Sequence, residues 1–344
     1  MEPLYLKILN DLKKKIFDGE LRPGDQLPTE KELSETYKVS RITSKRALSE
    51  LEKNGLIERT RGKGSFVKKP ENKVTNKKIL LLLPFTDDFA LGNLSGSILS
   101  VTQEANYELS IVTHNYLNDI TITELQNNFD GIIYYANNDN QHLDLLFTLN
   151  QINFPTILLD KEIPDLNLPT FLSDNFAGGI AATNYFVELG HKNIAYLFGN
   201  HEHPQSARQR YLGYIQSIIN NALPFHTAYN EDIYDAKKLI KYIHKNHITA
   251  IVCENDVVAI QSMRHLKNNK LSIPDDLSII GFDDIQAAQL VDPQLTTISQ
   301  DFHTIGKLAG QAILQWIETK QKPRGQKVPI HLIIRESTKE ATND

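Results

Sequence analysis

Seven short apolar runs punctuate the chain between residues 79 and 282: Ile79–Leu83, Leu109–Val112, Gly131–Tyr135, Thr156–Leu159, Ile194–Phe198, Ala250–Cys253 and Ser278–Phe282. Longer stretches of helical period separate them. A continuous apolar run of this length is a strand covered on both faces, and crossover-length helices between such strands mean parallel sheets with helices on either side. About nine strands over some 260 residues are expected to divide into two doubly wound lobes rather than form one large sheet. In such sheets ligands sit beyond the carboxyl ends of the strands. The last run matters most for that reason, because it ends abruptly in Asp283 and Asp284.

With 344 residues, 40% of them hydrophobic, the chain can bury more than one core. Its single cysteine, Cys253, excludes an internal disulfide framework and suits a reducing compartment. Residues 1–20 mix lysines with acids, and no apolar run approaches the ~18 residues of a membrane span, so a soluble, cytoplasmic protein is expected. The net charge of −5 conceals an asymmetry. Residues 1–78 hold 19 Lys and Arg against 12 Asp and Glu, a net of +7, which leaves −12 for the remainder. A small basic unit ahead of a larger acidic one points to a polyanion as partner of the first alone.

In that basic unit, Leu4, Leu6, Ile8, Leu9, Leu12, Ile16 and Phe17 recur at helical spacing. Thr29 and Glu32 fit a capping box opening a short second helix, Ser40 can cap a third, and Gly55 lies where the left-handed residue after that helix belongs. Two short helices joined by a tight turn read as a helix-turn-helix. In the second of them Ala47, Leu48 and Leu51 face inward, and Arg41, Thr43 and Lys45 gather at the amino-terminal end, where groove contacts are made. Leu56–Arg59 and Ser65–Val67 form a hairpin whose basic glycine tip, Gly62-Lys63-Gly64, is a wing able to reach a minor groove. Arg46 and Lys53 fit a solvated role equally well.

Pro28-Thr29-Glu30, Val39-Ser40-Arg41-x-Thr43, Ala47-Leu48, Leu51, Gly55-Leu56-Ile57 and Gly62-x-Gly64-x-Phe66-Val67 together resemble the winged-helix domain of the GntR family of bacterial transcription regulators. The resemblance implies that Lys31, Ser40, Arg41, Thr43, Lys45 and the wing tip Gly62, Lys63 and Gly64 contact double-stranded operator DNA. Two positions depart from the family pattern. Ile42 stands where a polar residue is common and can touch a thymine methyl; Ser44 replaces a usual aliphatic, which leaves the packing there open. Residues 1–68 are expected to form this domain, with a polar, Pro-containing linker at 69–78.

The larger unit shows no G-x-G-x-x-G after a strand, no Walker A loop, and no Ser-His-Asp or reactive-cysteine signature. Cys253 sits in an apolar strand and reads as inert core. His201-Glu202-His203 lacks a third ligand at recognisable spacing, so neither a metal nor another cofactor is expected. Polar residues instead follow the strands: Asp160-Lys161, Asn255-Asp256 and Asp283-Asp284. Carboxylates and amides delivered to one edge accept and donate in fixed directions, as a site for a polyol requires. Phe85 or Phe89 can supply an apolar face for a sugar ring, although a core role suits them better.

Asp174-Asn175, Gly190-His191, Ser206-x-x-x-Arg210, Asn255-Asp256, Ile273 to Asp284, Leu295 to Gln300 and Arg335-x-Ser337-Thr338 resemble, in register, the effector domain of LacI-type repressors, related to periplasmic sugar-binding proteins. That likeness implies that Asp160, Arg210, Asn255 and Asp283 hold the effector, with Arg210 donating in a two-pronged fashion. Phe85 and Lys161 complete the expected set, Lys161 standing where an arginine is common. Asp174 and Asn175 fall near a lobe crossing, where cap and hinge roles suit them as well as ligand contact, and Asp284 reads as structural. The whole is a small α+β winged helix-turn-helix domain followed by a two-lobed α/β, periplasmic-binding-protein-like effector domain with parallel sheets. The lobes are expected at 79–172 with 302–324, and at 173–300 with 325–338, followed by a tail at 339–344. A GntR-type reader joined to a LacI-type sensor resembles the arabinose-repressor group of Gram-positive bacteria. It implies a homodimeric, sugar-responsive repressor that is not an enzyme, with an arabinose-like pentose as first choice of effector. Alternatives are a regulator of opposite sign, a sugar phosphate or nucleoside as effector, or a sugar-processing enzyme carrying a DNA-binding tag.

Overall fold

In the computed structural model, residues 3–17, 20–60, 62–68, 76–84, 93–136, 142–163, 166–199, 204–231 and 235–342 are described. The chain divides into two units, Met1–Thr75 and Asn76–Asp344.

The first unit runs α1 (Leu4–Phe17), α2 (Glu30–Thr36), α3 (Arg41–Lys53) and an antiparallel hairpin of β1 (Ile57–Thr60) and β2 (Gly64–Val67). At the start of α2 the Thr29 hydroxyl oxygen accepts the Glu32 amide at 3.3 Å while the Glu32 carboxylate accepts the Thr29 amide at 2.7 Å. Two amides that a helix start leaves open are thereby satisfied. Ser40 caps α3 by accepting the Thr43 amide at 3.2 Å, and Gly55 follows the helix at φ +68°. A seven-residue helix such as α2 has no stability alone; it is held by Leu33, which is buried with Ile8, Leu12, Ala47, Leu48, Leu51 and Ile57 in one core. Ser44 enters that core at the position where an aliphatic is usual. It is fully buried, and its hydroxyl has no hydrogen-bond partner.

The second unit begins with β3 (Lys78–Leu83), α4 (Leu94–Glu104), β4 (Glu108–Thr113), α5 (Ile122–Asn128), β5 (Gly131–Tyr135), α6 (Leu143–Gln151), β6 (Thr156–Leu159) and β7 (Thr170–Ser173). It continues through α7 (Asn175–Glu188), β8 (Ile194–Leu197), α8 (Gln205–Asn220), α9 (Ala236–Lys245), β9 (Ala250–Cys253), α10 (Asp256–Asn268), β10 (Ser278–Asp283), β11 (Thr296–Gln300), α11 (Phe302–Thr319), β12 (Gln326–Val328) and β13 (Ile330–Ile333). Two sheets result, in the orders β12-β7-β6-β5-β3-β4 and β13-β11-β10-β9-β8. Every pairing in them is parallel except β13 with β11. Successive residues of β8 show why its run is apolar throughout. Ile194 and Tyr196 enter the core with Tyr214 and Ile218 of α8, whereas Ala195 and Leu197 enter a separate core with Leu239 of α9 and Met263 of α10. Both faces of the strand are covered.

The chain crosses between the lobes three times: after β7, between β11 and α11, and at Pro329. The last crossing corrects the sequence expectation. Gln326–Val328 pairs in parallel with Phe171–Ser173, so residues 325–328 belong to the first lobe and not the second. A three-residue edge strand, two of whose residues are exposed, leaves no apolar signal to place it. The linker is also shorter than expected. The Asp130 carboxylate accepts the Asn76 and Lys77 amides at 3.1 and 2.6 Å, and Lys78 already lies in β3. Finally, residues 339–341 are docked rather than free: the Lys339 amide donates to the Ser278 hydroxyl at 3.1 Å and the Ala341 amide to the Leu189 carbonyl at 2.8 Å. Among the described residues no helix is long and apolar enough to cross a membrane.

Candidate nucleic-acid interface and effector cleft

In the first unit, the start of α2, the face of α3 that carries Arg41, Leu48 and Glu52, and the hairpin enclose a groove of about 660 Å³. It brings Lys31 and Arg41 together with Gly62 and Gly64 of the wing. The wing is braced from behind, since the Gln26 side-chain amide donates to the Lys63 carbonyl at 3.0 Å. Gly64 has φ +117°, and a Cβ there would meet that amide nitrogen at 2.6 Å, so only glycine suits the site. Ser40 and Thr43 face each other, their hydroxyls 2.9 Å apart, and their first task is capping α3. Lys45 is exposed one turn further on. Arg46 has a different role: its guanidinium lies 3.9 Å from the centre of the Tyr5 ring, tying α3 to α1. Sequence reasoning missed Arg59, which pairs with Glu30 at 2.5 Å and donates to Ser49 at 3.4 Å, fixing the hairpin against both helices.

In the second unit the carboxyl ends of β5, β6, β9, β10 and β11 converge on Arg210 of α8, a buried guanidinium. Its Nε donates to Asn175 Oδ1 at 2.8 Å and its Nη1 to the Glu254 carbonyl at 2.8 Å. Nη2 stands 3.1 Å from Asp283 Oδ1, and the plane rests 3.9 Å from the centre of the Phe282 ring. Arg210 reaches this position because α7 and α8 touch backbone to backbone. A Cβ on Gly213 would lie 2.2 Å from the Phe176 carbonyl oxygen, and one on Gly179 would lie 2.0 Å from that of Arg210. Burial works against the charge of Arg210, yet Asp283 foremost, with Asp160 and Glu254, more than offsets it and moves its pKa up.

Asp283 also accepts from the Gln300 side-chain amide at 2.6 Å. Burial raises its pKa to about 6 despite the opposing pull of Arg210 and Gln300. From the other lobe, Asp160 Oδ2 accepts the Ser206 hydroxyl at 3.3 Å, a bridge between the lobes, and Tyr135 adds a hydroxyl to the same carboxylate. Burial raises the pKa of Asp160 as well, opposed chiefly by Arg210. Lys161 is near enough to stabilise the Asp160 charge. Both aspartates sit at positive φ, Asp160 at +69° and Asp283 at +117°, which turns their side chains off the strand ends.

The expected effector residues thus divide. Asp160, Arg210 and Asp283 come together, with Lys161 beside Asp160; Phe85 lies outside the described residues, as do Phe89 and His201-Glu202-His203. Asn255 is placed at the cleft end of β9, but its side-chain oxygen caps α10 by accepting the Val258 amide at 2.9 Å. The two-pronged donation expected of Arg210 is also altered, because both prongs are engaged by Glu254 and Asp283. Asp174 caps α7, whereas Asn175 orients Arg210. Asp284 pairs with Arg335 at 2.5 Å and is structural. Tyr135, Asn175, Ser206 and Gln300 are the additions the structure makes. Asn175, Ser206 and Gln300 fall within the motifs that carry the resemblance, whereas Tyr135 carried no sequence signal.

Directly behind the cleft, Asp256 is wholly buried. Its Oδ1 lies 2.5 Å from the Thr297 hydroxyl, and its Oδ2 accepts the Ile285 amide at 2.9 Å. Burial, with a smaller contribution from Asp283, raises its pKa to about 8. The shift favours the neutral carboxyl, which accepts from both the Thr297 hydroxyl and the Ile285 amide. Among the described residues no group of three or more His, Cys, Asp or Glu is placed to hold a metal ion.

Residues 4–67 match the family of bacterial regulatory proteins called gntR, and residues 183–338 match the periplasmic binding protein-like domain. An arabinose metabolism transcriptional repressor of Geobacillus stearothermophilus is 27% identical over 98% of this chain and 98% of its own length. Among solved structures, a LacI family transcriptional regulator from Enterococcus faecium with bound ribose has a TM-score of 0.65 and 22% identity, over 77% of this chain and all of the other. A complex of the transcriptional regulator CelR with cellobiose has a TM-score of 0.66 and 17% identity, over 90% and 100% respectively. At these identities the two structures speak for the fold. All three proteins are transcriptional regulators.

Proposed function

We propose that this chain, a GntR-type regulatory domain joined to a periplasmic-binding-protein-like domain, is a cytoplasmic transcriptional repressor. It binds operator DNA as a homodimer through the first unit and is released by a monosaccharide held between the lobes of the second. The observation that carries the effector reading is the meeting of Asp160 and Ser206, from opposite lobes, beside the Arg210–Asp283 pair. A ligand with several hydroxyls can replace the Ser206–Asp160 bridge and donate to both aspartates, so it binds the closed arrangement better than the open one. Three carboxylates, Asp160, Asp283 and Glu254, act on Arg210. That balance favours a neutral, hydroxyl-rich ligand over a sugar phosphate, whose anion would have to enter beside them. An arabinose-like pentose is the first choice, given the full-length relative. The assigned contacts are Asp160, Lys161, Arg210 and Asp283 for the sugar. For the duplex they are Lys31, Ser40, Arg41, Thr43, Lys45 and the wing at Gly62, Lys63 and Gly64.

A thermal-shift panel of pentoses, hexoses, their phosphates and nucleosides tests the effector class, because a ligand that binds only the folded state raises its melting temperature. One neutral sugar is expected to raise it, and Asp283→Ala to lose that response while still binding DNA. A response confined to phosphorylated sugars would overturn the assignment.

A further inference from the structure

The first turn of α3 presents a large apolar side chain to solvent, where a polar one is common. Ile42 is 81% exposed, while Ser44, Ala47, Leu48 and Leu51 of the same helix are buried. At 100° per residue, position 42 points almost directly away from Ser44, so no adjustment of the helix takes it into the core. Position 49 shares its direction two turns later, and there the Ser49 hydroxyl accepts from Arg59 of β1. The exposed ridge of α3 is therefore continuous with the hairpin surface. Exposed Arg41 and Lys45 both lie to one side of Ile42, about 100° and 60° round the helix, and Ser40 caps the turn through Thr43.

An isoleucine cannot read the donor and acceptor pattern of base edges, since it carries no hydrogen-bonding atom. The one apolar group that base edges offer in the major groove is the thymine 5-methyl. We infer that Ile42 is a sequence-reading residue that buries a thymine methyl in each half-site, while its cationic neighbours hold the flanking duplex. This inference rests on the reading of the first unit as a DNA binder.

Selection of binding duplexes from a randomised library with the full chain supplies the probe. Each thymine of the selected duplex is then replaced in turn by deoxyuridine, which removes only the methyl. For the unaltered chain, one thymine per half-site is expected to show a loss of about fourfold, the ratio that burial of one methyl group corresponds to. Ile42→Ala should bind the thymine and uracil duplexes equally, and Ile42→Val should retain the discrimination. The inference is overturned if no uracil replacement weakens the unaltered chain, or if Ile42→Ala keeps the same loss. A chain that enriches no sequence at all would instead refute the DNA-binding reading on which the inference rests.

Discussion

Replacing Asp256 by asparagine should reverse an energetic cost that the fold carries at neutral pH. The carboxyl is held up to about 8 in the folded protein, against 3.8 for the unperturbed side chain. A group whose folded pKa stands above its unfolded one favours the folded state fully below the lower value. That contribution is lost as pH rises toward the upper one. Between about pH 4 and pH 8 this single group therefore removes about 1.36 kcal/mol of stability per pH unit. Asparagine does not titrate, and its amide fits both positions: Oδ1 can accept from the Ile285 amide, and Nδ2 can donate to the Thr297 hydroxyl once that hydroxyl turns from donating, as it does to Asp256, to accepting. The stability of Asp256→Asn minus that of the unaltered chain should then grow by about 4 kcal/mol from pH 5 to pH 8. Urea unfolding of both proteins at a series of pH values and constant ionic strength measures this difference directly, because other titrating groups cancel. A difference that stays flat across the range would show that Asp256 titrates as an ordinary carboxylate.

Two further outcomes follow from the same reasoning. Asp283, held up to about 6, must be ionised to accept two hydroxyl donors. Sugar affinity should therefore be constant above pH 7 and weaken by up to tenfold per pH unit below 6, as read by titration calorimetry; pH-independent binding would exclude Asp283 as a ligand contact. In the first unit, Ser44→Ala removes a buried hydroxyl that has no partner and improves helix propensity, so it should stabilise that unit by ~1–2 kcal/mol. A melting temperature unchanged or lowered in circular dichroism would show that the hydroxyl is satisfied.

Elements defined by local chemistry could be read from the sequence, and those defined by distant partners could not. The capping box at Thr29 and Glu32 and the continuous apolar strands carry their cause within a few residues. β12 carries none, and only its parallel pairing with β7 assigns it to the first lobe. The site divides in the same way. Asp160 and Asp283 stand out as polar residues ending apolar strands, which is a local signal. Asn175 looks like the start of a helix until Arg210, 35 residues on, is seen to donate to it. Tyr135 reads as the last apolar residue of β5, and Gln300 as the end of a mixed strand. Their hydroxyl and amide matter only because Asp160 and Asp283 face them.

A sugar-responsive repressor couples its two ligands, DNA and sugar, reciprocally. Operator affinity of the full chain, on a duplex selected by the chain itself and at one fixed salt concentration, should be titrated with and without the saturating neutral sugar. The affinities are predicted to differ at least fivefold, with sugar affinity changing by the same factor when DNA is present, and Asp283→Ala should abolish the difference. Identical operator affinities with and without a sugar known to be bound would contradict the account.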